Sequence, residues 1–320
     1  AARHKRHVGM AMRLDENNLS LPDLYTKLTA SGLVTRLLEL ARDEDLGTGG
    51  HVGDLTCQVM MEPTQTTKAL LRARADLVVA GLAVVPEAVK ILAPGVVCDF
   101  KAKDGDHVHK GDTLIALSGS SHEVLTLERT ILNTIGRLSG IATRTRTFLE
   151  RISAEAGADC NAKLLDTRKT TPGLRVLEKY AVRCGGGFCH RLGLHDAVLV
   201  KDNHLAGLSP PEVAERVRVA IARAEELRSQ GKEIKFFEVE VDDLEQFRAL
   251  LTLEKGGIDF VLLDNMGPEK LKEAVKMRDA AGSHILLEAS GGVNLDTIGG
   301  IARSGVDRIS VGGLTHQAVN

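Results

Sequence analysis

The chain has 320 residues, of which 43% are hydrophobic and 26% charged, and its formal net charge at pH 7 is −2. This is the composition of a soluble globular protein that is long enough to bury a large core. The near-neutral charge gives no support for a general nucleic-acid or membrane-surface role, so neither partner is expected.

The five cysteines are scattered without a CxxC pair, which predicts reduced thiols in a cytoplasmic protein. The longest apolar run, from Leu77 to Val85, contains Gly81, is followed by Pro86, and is too short to span a bilayer. The basic start, AARHKRHVGMAMRLDENN, has no hydrophobic segment, so we interpret it as a tail and not as a secretory signal. An amphipathic targeting leader is the alternative.

The first half of the chain changes from a helical pattern to a strand-rich one. Leucine and valine spacing predicts a helix from Pro22 to Arg42. Strands and turns then predominate, with a helix predicted over Pro86–Leu92. The predicted strands are Lys68–Ala75, Val96–Ala102 and Thr113–Leu117.

A long amphipathic segment follows. Ser121 can cap a helix from His122 to about Leu138, and Ser139-Gly140 predicts a kink before a second helix that ends near Ala156. Polar side chains share the face opposite the apolar stripe: His122, Thr126, Arg129, Asn133 and Arg137. This face is directed either to solvent or to a ligand or partner chain.

Six strand-like segments alternate with helical stretches after residue 160. The segments are KLLDT, HDAVLVKDN, IKFFEVEVD, DFVLLDN, HILLEASGG and RISVGG. Each ends on a polar residue or glycine, namely Asp166, Lys201, Glu240, Asp264, Ser290 and Gly312. This alternation is typical of a (β/α) barrel or an open α/β sheet. No GxGxxG opens a βαβ unit, so a barrel is the better prediction.

Basic residues near these strand ends predict a site for an anionic small molecule. Arg168-Lys169 and His190-Arg191 combine guanidinium groups with an ammonium and an imidazole. Arginine binds carboxylates or phosphates through two parallel hydrogen bonds, whereas lysine acts as a point charge. We expect the ligands to be a phosphorylated sugar and a carboxylated acceptor.

Acidic and glycine residues extend this prediction. Glu240 and Asp264 follow neighbouring strands, where they can hold Mg²⁺ bridged to phosphates or bind ribose hydroxyls. A structural salt bridge with Arg168 or Lys201 is the alternative. The loops Ser290-Gly291-Gly292 and Val311-Gly312-Gly313 offer backbone N–H groups to a phosphate.

Several long motifs occur in order along the chain. They are Glu128–Asn133, Leu138–Thr143, Leu165–Thr170, Pro172–Arg175, Lys179–Gly187, His190–Leu194, Val200–His204, Glu238–Val241, Leu262–Met266, Glu288–Gly292 and Ile309–Gly312. At these residues the chain resembles the quinolinate phosphoribosyltransferase family of NAD biosynthesis. The resemblance extends from about Leu33 to His316.

The resemblance implies an α/β fold with an N-terminal α/β sandwich and an incomplete (β/α) TIM-like barrel. The expected division is a tail and helix over 1–30, the sandwich over 31–138 and the barrel over 139–320, whose C-terminus can return to the first domain. It also implies a homodimer in which each N-terminal domain caps the partner's barrel. The implied reaction is a Mg²⁺-dependent transfer from phosphoribosyl pyrophosphate to quinolinate, which yields nicotinate mononucleotide, pyrophosphate and CO₂.

The family's functional residues match particular positions of this chain. The resemblance implies that quinolinate is bound by Arg168, His190, Arg191, Lys201 and the partner's copy of Arg129, with Lys169 near both substrates and Thr167 among the substrate-binding residues. It implies that Glu240 and Asp264 face the ribose and Mg²⁺, and that the phosphate is held by Ser290, Gly291, Gly292, Val311, Gly312 and Gly313. The implied catalytic residues are Lys169, Lys201, Glu240 and Asp264.

Two other functions and one departure remain open from the sequence. A Schiff-base barrel aldolase could use Lys201, and a redirected or non-catalytic relative of the family is also compatible with the motifs. The family usually has Asn where this chain has Cys189. The orientation of the adjacent His190 therefore has to be read from the structure.

Overall fold

The computed structural model describes residues 16–48, 53–253 and 256–319. The α-helices are α1 Leu21–Thr29, α2 Leu33–Leu46, α3 Leu55–Met60, α4 Val85–Leu92, α5 Ser121–Ala156, α6 Arg175–Cys184, α7 Asp202–Leu205, α8 Pro210–Ser229, α9 Leu244–Leu250, α10 Pro268–Ala280, α11 Ile298–Ala302 and α12 Gly313–His316. Short 3₁₀ helices lie at Glu16–Asn18 and Leu82–Val84. Most of the basic N-terminal tail that the sequence predicts lies outside the described residues.

The strands are β1 Thr66–Arg72, β2 Leu77–Val78, β3 Val97–Phe100, β4 His107–Val108, β5 Thr113–Ser120, β6 Lys163–Leu165, β7 Val198–Val200, β8 Phe237–Val241, β9 Phe260–Asp264, β10 Leu286–Ser290 and β11 Arg308–Ser310. The first five form two antiparallel sheets, in the orders β1-β5-β3 and β2-β4. Buried Leu71, Ile115 and Leu117 come from the three-stranded sheet, which packs against α5. Strands and helices therefore form a layered α/β unit before residue 140.

Two helix predictions need correction. The single helix predicted over Pro22–Arg42 is divided into α1 and α2 at Gly32, whose φ of 72° lies in the left-handed region that glycine adopts without strain. Conversely, the two helices predicted around Ser139-Gly140 are one helix of 36 residues, α5.

Ser139 has another role than the predicted helix break. Its buried hydroxyl accepts a hydrogen bond from the Ala80 N–H at 3.1 Å and donates to the Ala80 carbonyl at 3.2 Å. One turn later, the Thr143 hydroxyl accepts the Val78 N–H at 2.9 Å. Polar residues in the middle of α5 thus satisfy backbone groups at and beyond β2, which would otherwise be buried without partners.

All six strands predicted after residue 160 are confirmed. They form one parallel sheet in the order β6-β11-β10-β9-β8-β7, with α-helices in the connections. An isolated parallel bridge between Leu165 and Phe188 continues the edge beside β6. Within the described ranges no ladder joins β7 back to β6, so the barrel is incomplete, as expected.

The sheet is curved like a barrel wall. Glu238 on β8 and Glu288 on β10 are separated by β9, yet their carboxylates lie 3.0 and 3.3 Å from the same atom, Nε2 of His190. Neighbouring strands are about 4.8 Å apart, so in a flat sheet these side chains would stand about 10 Å apart. The inward faces of the strands therefore converge on a common interior, and the predicted fold class is confirmed.

Candidate active site

Parallel strands bring the predicted site residues to one edge of the sheet. Thr167, Arg168 and Lys169 follow β6, and Lys201 follows β7. Glu240 is the next-to-last residue of β8, whereas Asp264 and Ser290 are the last residues of β9 and β10. Since the carboxyl ends of parallel strands share one edge, sequence and topology together account for this gathering of charge.

Glu240 lies in an acidic part of this edge. Nζ of Lys201 is 3.0 Å from its carboxylate, so the salt bridge offered as an alternative does form with Lys201. Burial raises the pKa of Glu240, and the negative charges of Asp264 and Asp202 raise it further against the effect of Lys201. A bound cation would offset the negative charge that Asp264 and Asp202 add around Glu240.

The Asp264 carboxylate is oriented by a residue that the sequence did not single out. Asn265 donates from Nδ2 to Asp264 at 2.7 Å, and its backbone N–H donates to the Ser290 carbonyl at 2.9 Å. Asn265 has φ of 53°, the one non-glycine residue with positive φ in the described segments. A strained backbone at a strand end often marks a functional position.

Gly291 packs against this turn. Its φ is 85°, and a Cβ atom there would lie 2.2 Å from Oδ1 of Asn265. Glycine is therefore required both by the backbone conformation and by the closeness of Asn265. The next residue, Gly292, also has positive φ at 62°, so the loop after β10 has the compact conformation that suits a phosphate cradle.

The second glycine loop lies under Lys169. A Cβ atom on Gly312 would lie 2.8 Å from Cδ of Lys169, so the lysine side chain crosses directly over this glycine. The Thr315 hydroxyl donates to the Lys169 carbonyl at 2.6 Å, and Arg144 Nε donates to the Gly313 carbonyl at 2.7 Å. These bonds link the loops after β6 and β11 to each other and to α5.

The charges of two guanidinium groups, those of Arg168 and Arg191, act on each other at the edge of the barrel. Burial lowers the pKa of Arg191, and the positive charge of Arg168 lowers it further, although Glu238 opposes both effects. Arg168 Nε is buried, and no hydrogen-bond partner for it occurs in the described part of the chain. An unsatisfied guanidinium N–H beside a second guanidinium favours an anionic ligand.

His190, which directly precedes Arg191, is 7% exposed and has partners at both ring nitrogens. Nδ1 accepts the Arg191 backbone N–H at 2.7 Å, while Nε2 faces Glu238 and Glu288. Burial lowers its pKa, but the two carboxylates outweigh burial and raise it to about 9. Protonation of Nδ1 would break the hydrogen bond that this atom accepts from the Arg191 N–H. That loss opposes the rise in the pKa of His190. In this geometry His190 supports the main chain at Arg191.

The buried acids below His190 also have the composition of a metal site. His190, Glu238 and Glu288 each offer a ligand atom, and these atoms lie within 4.8 Å of one another. However, Nε of Arg308 lies 2.7 Å from Glu288, and this guanidinium stacks 3.8 Å from the Phe260 ring centroid. The Arg308 guanidinium therefore already compensates the negative charge of Glu288. The acidic edge at Glu240 and Asp264 suits a divalent ion better.

The loop that carries Arg168 and Lys169 is held from below by two fully buried carboxylates. Asp166 pairs with the buried Lys179 and accepts the His190 backbone N–H at 2.9 Å. Glu178 accepts the backbone N–H of Thr171 at 3.1 Å and its hydroxyl at 2.9 Å. The sequence motif therefore provides the support of the loop as well as its exposed cations.

The polar face of α5 is divided in function. Arg137 donates to Glu178 at 2.9 Å and to the carbonyls of Thr315 and Ala318 at 2.7 and 3.0 Å. It therefore binds within its own chain, so the prediction that the whole face points to solvent, a ligand or a partner is wrong for Arg137. Arg129, two turns earlier, is exposed.

Two family models together match most of the chain. The one described as "Quinolinate phosphoribosyl transferase, N-terminal domain" matches residues 54–139, and the one described as "Quinolinate phosphoribosyl transferase, C-terminal domain" matches residues 141–320. The chain belongs to the quinolinate phosphoribosyltransferase family. The resemblance recognised from the motifs is thereby confirmed.

Individual relatives agree with this family. The chain is 39% identical over 275 residues to the "Probable nicotinate-nucleotide pyrophosphorylase [carboxylating]" of Bacillus subtilis, covering 86% of each protein. It is 36% identical over 293 residues to the chloroplastic "Nicotinate-nucleotide pyrophosphorylase [carboxylating]" of Arabidopsis thaliana, covering 88% of this chain and 79% of that protein. The solved nicotinate-nucleotide pyrophosphorylase of Francisella tularensis aligns with a TM-score of 0.76 at 35% identity, covering 95% and 96% of the two chains.

Proposed function

We propose that this quinolinate phosphoribosyltransferase family member transfers the phosphoribosyl group of phosphoribosyl pyrophosphate to quinolinate. The products are nicotinate mononucleotide, pyrophosphate and CO₂, in NAD biosynthesis. The observation that carries this proposal is the buried and unsatisfied Nε of Arg168, whose positive charge also lowers the pKa of Arg191, on the strand edge that carries acidic groups and two glycine loops. A dicarboxylate and a sugar phosphate together complement those three regions.

Quinolinate is assigned to the basic region. Arg168 and Arg191 bind its carboxylates, Lys201 adds a third cation, and Thr167 and Lys169 lie between the two substrates. His190 is assigned to the same quinolinate pocket, and its Nδ1 accepts the backbone N–H of Arg191. Loss of one carboxylate from the ligand would leave a buried guanidinium unpaired, and this supports selection of a dicarboxylate over nicotinate.

Phosphoribosyl pyrophosphate is assigned to the remaining strand ends. The 5′-phosphate is cradled by Ser290, Gly291, Gly292, Val311, Gly312 and Gly313. Glu240 and Asp264 face the ribose and would hold Mg²⁺, because their carboxylates are hard oxygen ligands and the negative charge of Asp264 raises the pKa of Glu240. Bound Mg²⁺ would neutralise charge on the departing pyrophosphate.

The reaction depends on positioning and charge. The pyridine nitrogen forms its bond to the anomeric carbon while the bond from that carbon to pyrophosphate breaks, so the protein must hold these atoms in line. The ring nitrogen is then cationic, and it stabilises the electron pair left on the adjacent carbon when CO₂ departs. A solvent proton completes the product. Lys169, Lys201, Glu240 and Asp264 act by orienting the substrates and stabilising developing charge.

A homodimer is part of this proposal, with Arg129 reaching the partner's quinolinate pocket. The three-stranded sheet supports it, since Leu70 on β1 and Val97 on β3 are 52% and 66% exposed. Both lie on one face of the sheet, because they align with Ala116 and Ser118, two residues apart on β5. An exposed apolar sheet face of this kind is typically covered by another chain.

The helices and cysteines bear on location, and the ion pair of Lys201 bears on the alternative functions. In the described part of the chain, no helix is long and apolar enough to cross a bilayer. The five cysteines are unpaired, which supports a cytoplasmic location. A Schiff-base aldolase requires a neutral lysine, whereas Lys201 is ion-paired with Glu240. The relatives described above carry pyrophosphorylase names, which also disfavours a redirected member.

The deciding experiment is a comparison of acceptors. The protein is incubated with phosphoribosyl pyrophosphate, Mg²⁺ and either quinolinate or nicotinate, and nicotinate mononucleotide is measured by chromatography. We expect product from quinolinate and little or none from nicotinate. No product from quinolinate, or equal use of the two acids, would overturn the proposed function.

A further inference from the structure

The segment that carries Arg191 has no regular secondary structure of its own. Residues 189–193 lie between α6 and β7, outside any helix or strand ladder. Side chains from elsewhere hold its backbone instead. Asp196 accepts the N–H groups of Leu192 and Gly193 at 2.7 and 3.0 Å, and Asp166 accepts that of His190. The position of Arg191 therefore depends on a set of side-chain clamps.

One of these clamps comes from the start of the described chain. The Asn17 amide accepts the Cys189 N–H at 2.7 Å and donates to the Cys189 carbonyl at 3.0 Å. A primary amide can do both at once, as a neighbouring strand would, whereas a carboxylate can only accept. Cys189 is buried, 172 residues from Asn17, and directly precedes His190-Arg191.

The residues beside Asn17 are fastened to the same region. Glu16 is 4% exposed and accepts from Lys235 at 2.7 Å, and Lys235 also lies 3.4 Å from Asp196. Arg183 donates to the Asn17 carbonyl at 3.3 Å. Asn17 thus contacts the start of the segment 189–196 directly, and Glu16 is linked to its end at Asp196 through Lys235.

We propose that Asn17 is a positioning residue of the quinolinate site. It fixes the main chain at Cys189 so that Arg191 faces Arg168 at the spacing that two carboxylates require. This inference rests on the proposed function, because it assigns Arg191 to quinolinate. It predicts that loss of the clamp weakens quinolinate binding and leaves the phosphoribosyl pyrophosphate site, on other strands, unchanged.

The test compares Asn17→Ala, Asn17→Asp and the control Asn18→Ala in the full chain. Asn18 lies in the same 3₁₀ helix but is exposed. We expect the KM for quinolinate to rise roughly ten- to thirtyfold in Asn17→Ala, as for the loss of two hydrogen bonds. The KM for phosphoribosyl pyrophosphate should stay within about twofold of wild type, and Asn18→Ala should match wild type in both.

The aspartate variant adds a readout that a merely structural role would not move. Its carboxylate would face the Cys189 carbonyl, whereas a protonated carboxyl can donate and accept as Asn17 does. The ratio of its quinolinate KM to that of wild type should therefore fall as the pH decreases from 8 towards 5.

Three outcomes would overturn the inference. They are an unchanged quinolinate KM in Asn17→Ala, an equal rise in both KM values with a lowered melting temperature, and a pH-independent ratio for Asn17→Asp. An inactive wild-type protein would instead refute the proposed function, so the two failures are distinguishable.

Discussion

Glu288→Gln tests the ionic network inside the barrel. The Glu288 carboxylate is fully buried, close to Arg308 and His190. Burial raises its pKa, but Arg308 and His190 outweigh burial and lower it from 4.5 to about 2. At about 1.4 kcal/mol per pH unit, this difference corresponds to about 3 kcal/mol of stability at neutral pH. Glutamine has nearly the same volume, so the substitution removes the charge without opening a cavity.

The assay is urea unfolding of wild type and variant at several pH values. We expect the free energy of unfolding of Glu288→Gln to be about 3 kcal/mol lower at pH 7. Because the folded-state pKa is depressed, this contribution is present above pH 4.5 and lost as the pH falls towards 2. The difference between the proteins should therefore shrink in acid. Glu269→Gln on α10, where the side chain is 86% exposed, should change stability by less than about 0.5 kcal/mol. Equal stability at pH 7, or a difference that does not shrink below pH 4.5, would refute the reasoning.

Three further predictions concern the active site. Arg129→Ala and Arg168→Ala should each abolish activity as pure dimers. In an equal mixture about half of the dimers are mixed, and each mixed dimer has one intact site of two, so about a quarter of wild-type turnover should return. Verified mixed dimers without activity would count against a shared site. Gly291→Ala should raise the KM for phosphoribosyl pyrophosphate about tenfold or more, because its Cβ would collide with Asn265. Gly136→Ala, whose Cβ meets nothing within 4 Å, is the control and should preserve the KM. EDTA should abolish turnover and added Mg²⁺ should restore it; full activity in EDTA would contradict the assigned metal.

The barrel strands and their charged ends could be predicted because both depend on local order in the sequence. Short apolar runs alternate with helical stretches, and parallel topology carries Lys201, Glu240 and Asp264 to one edge without knowledge of any individual contact. The same local reasoning divided α5 wrongly at Ser139-Gly140. It could not show that the Ser139 hydroxyl binds the backbone at Ala80, 59 residues away.

The support beneath the site was largely inaccessible from the sequence. Polar residues within strands and helices have no periodic signal that identifies their partners, so the Arg308–Glu288 contact and the Arg137–Glu178 bond appear only in the folded chain. Asn265 could have been suspected, since asparagine tolerates positive φ and here follows a strand. The sequence therefore indicated which charged groups gather at the strand ends, whereas the structure shows what holds them there.

The central claim is that one site joins a pyridine dicarboxylate to a phosphoribosyl group and then removes one carboxylate as CO₂. Its most direct test uses quinolinate labelled with ¹³C in the carboxyl group next to the ring nitrogen. In the presence of phosphoribosyl pyrophosphate and Mg²⁺, we predict one labelled CO₂ for each nicotinate mononucleotide, and no labelled CO₂ when phosphoribosyl pyrophosphate is omitted. Labelled CO₂ released without phosphoribosyl pyrophosphate, or a nucleotide product that retains the label, would contradict the account.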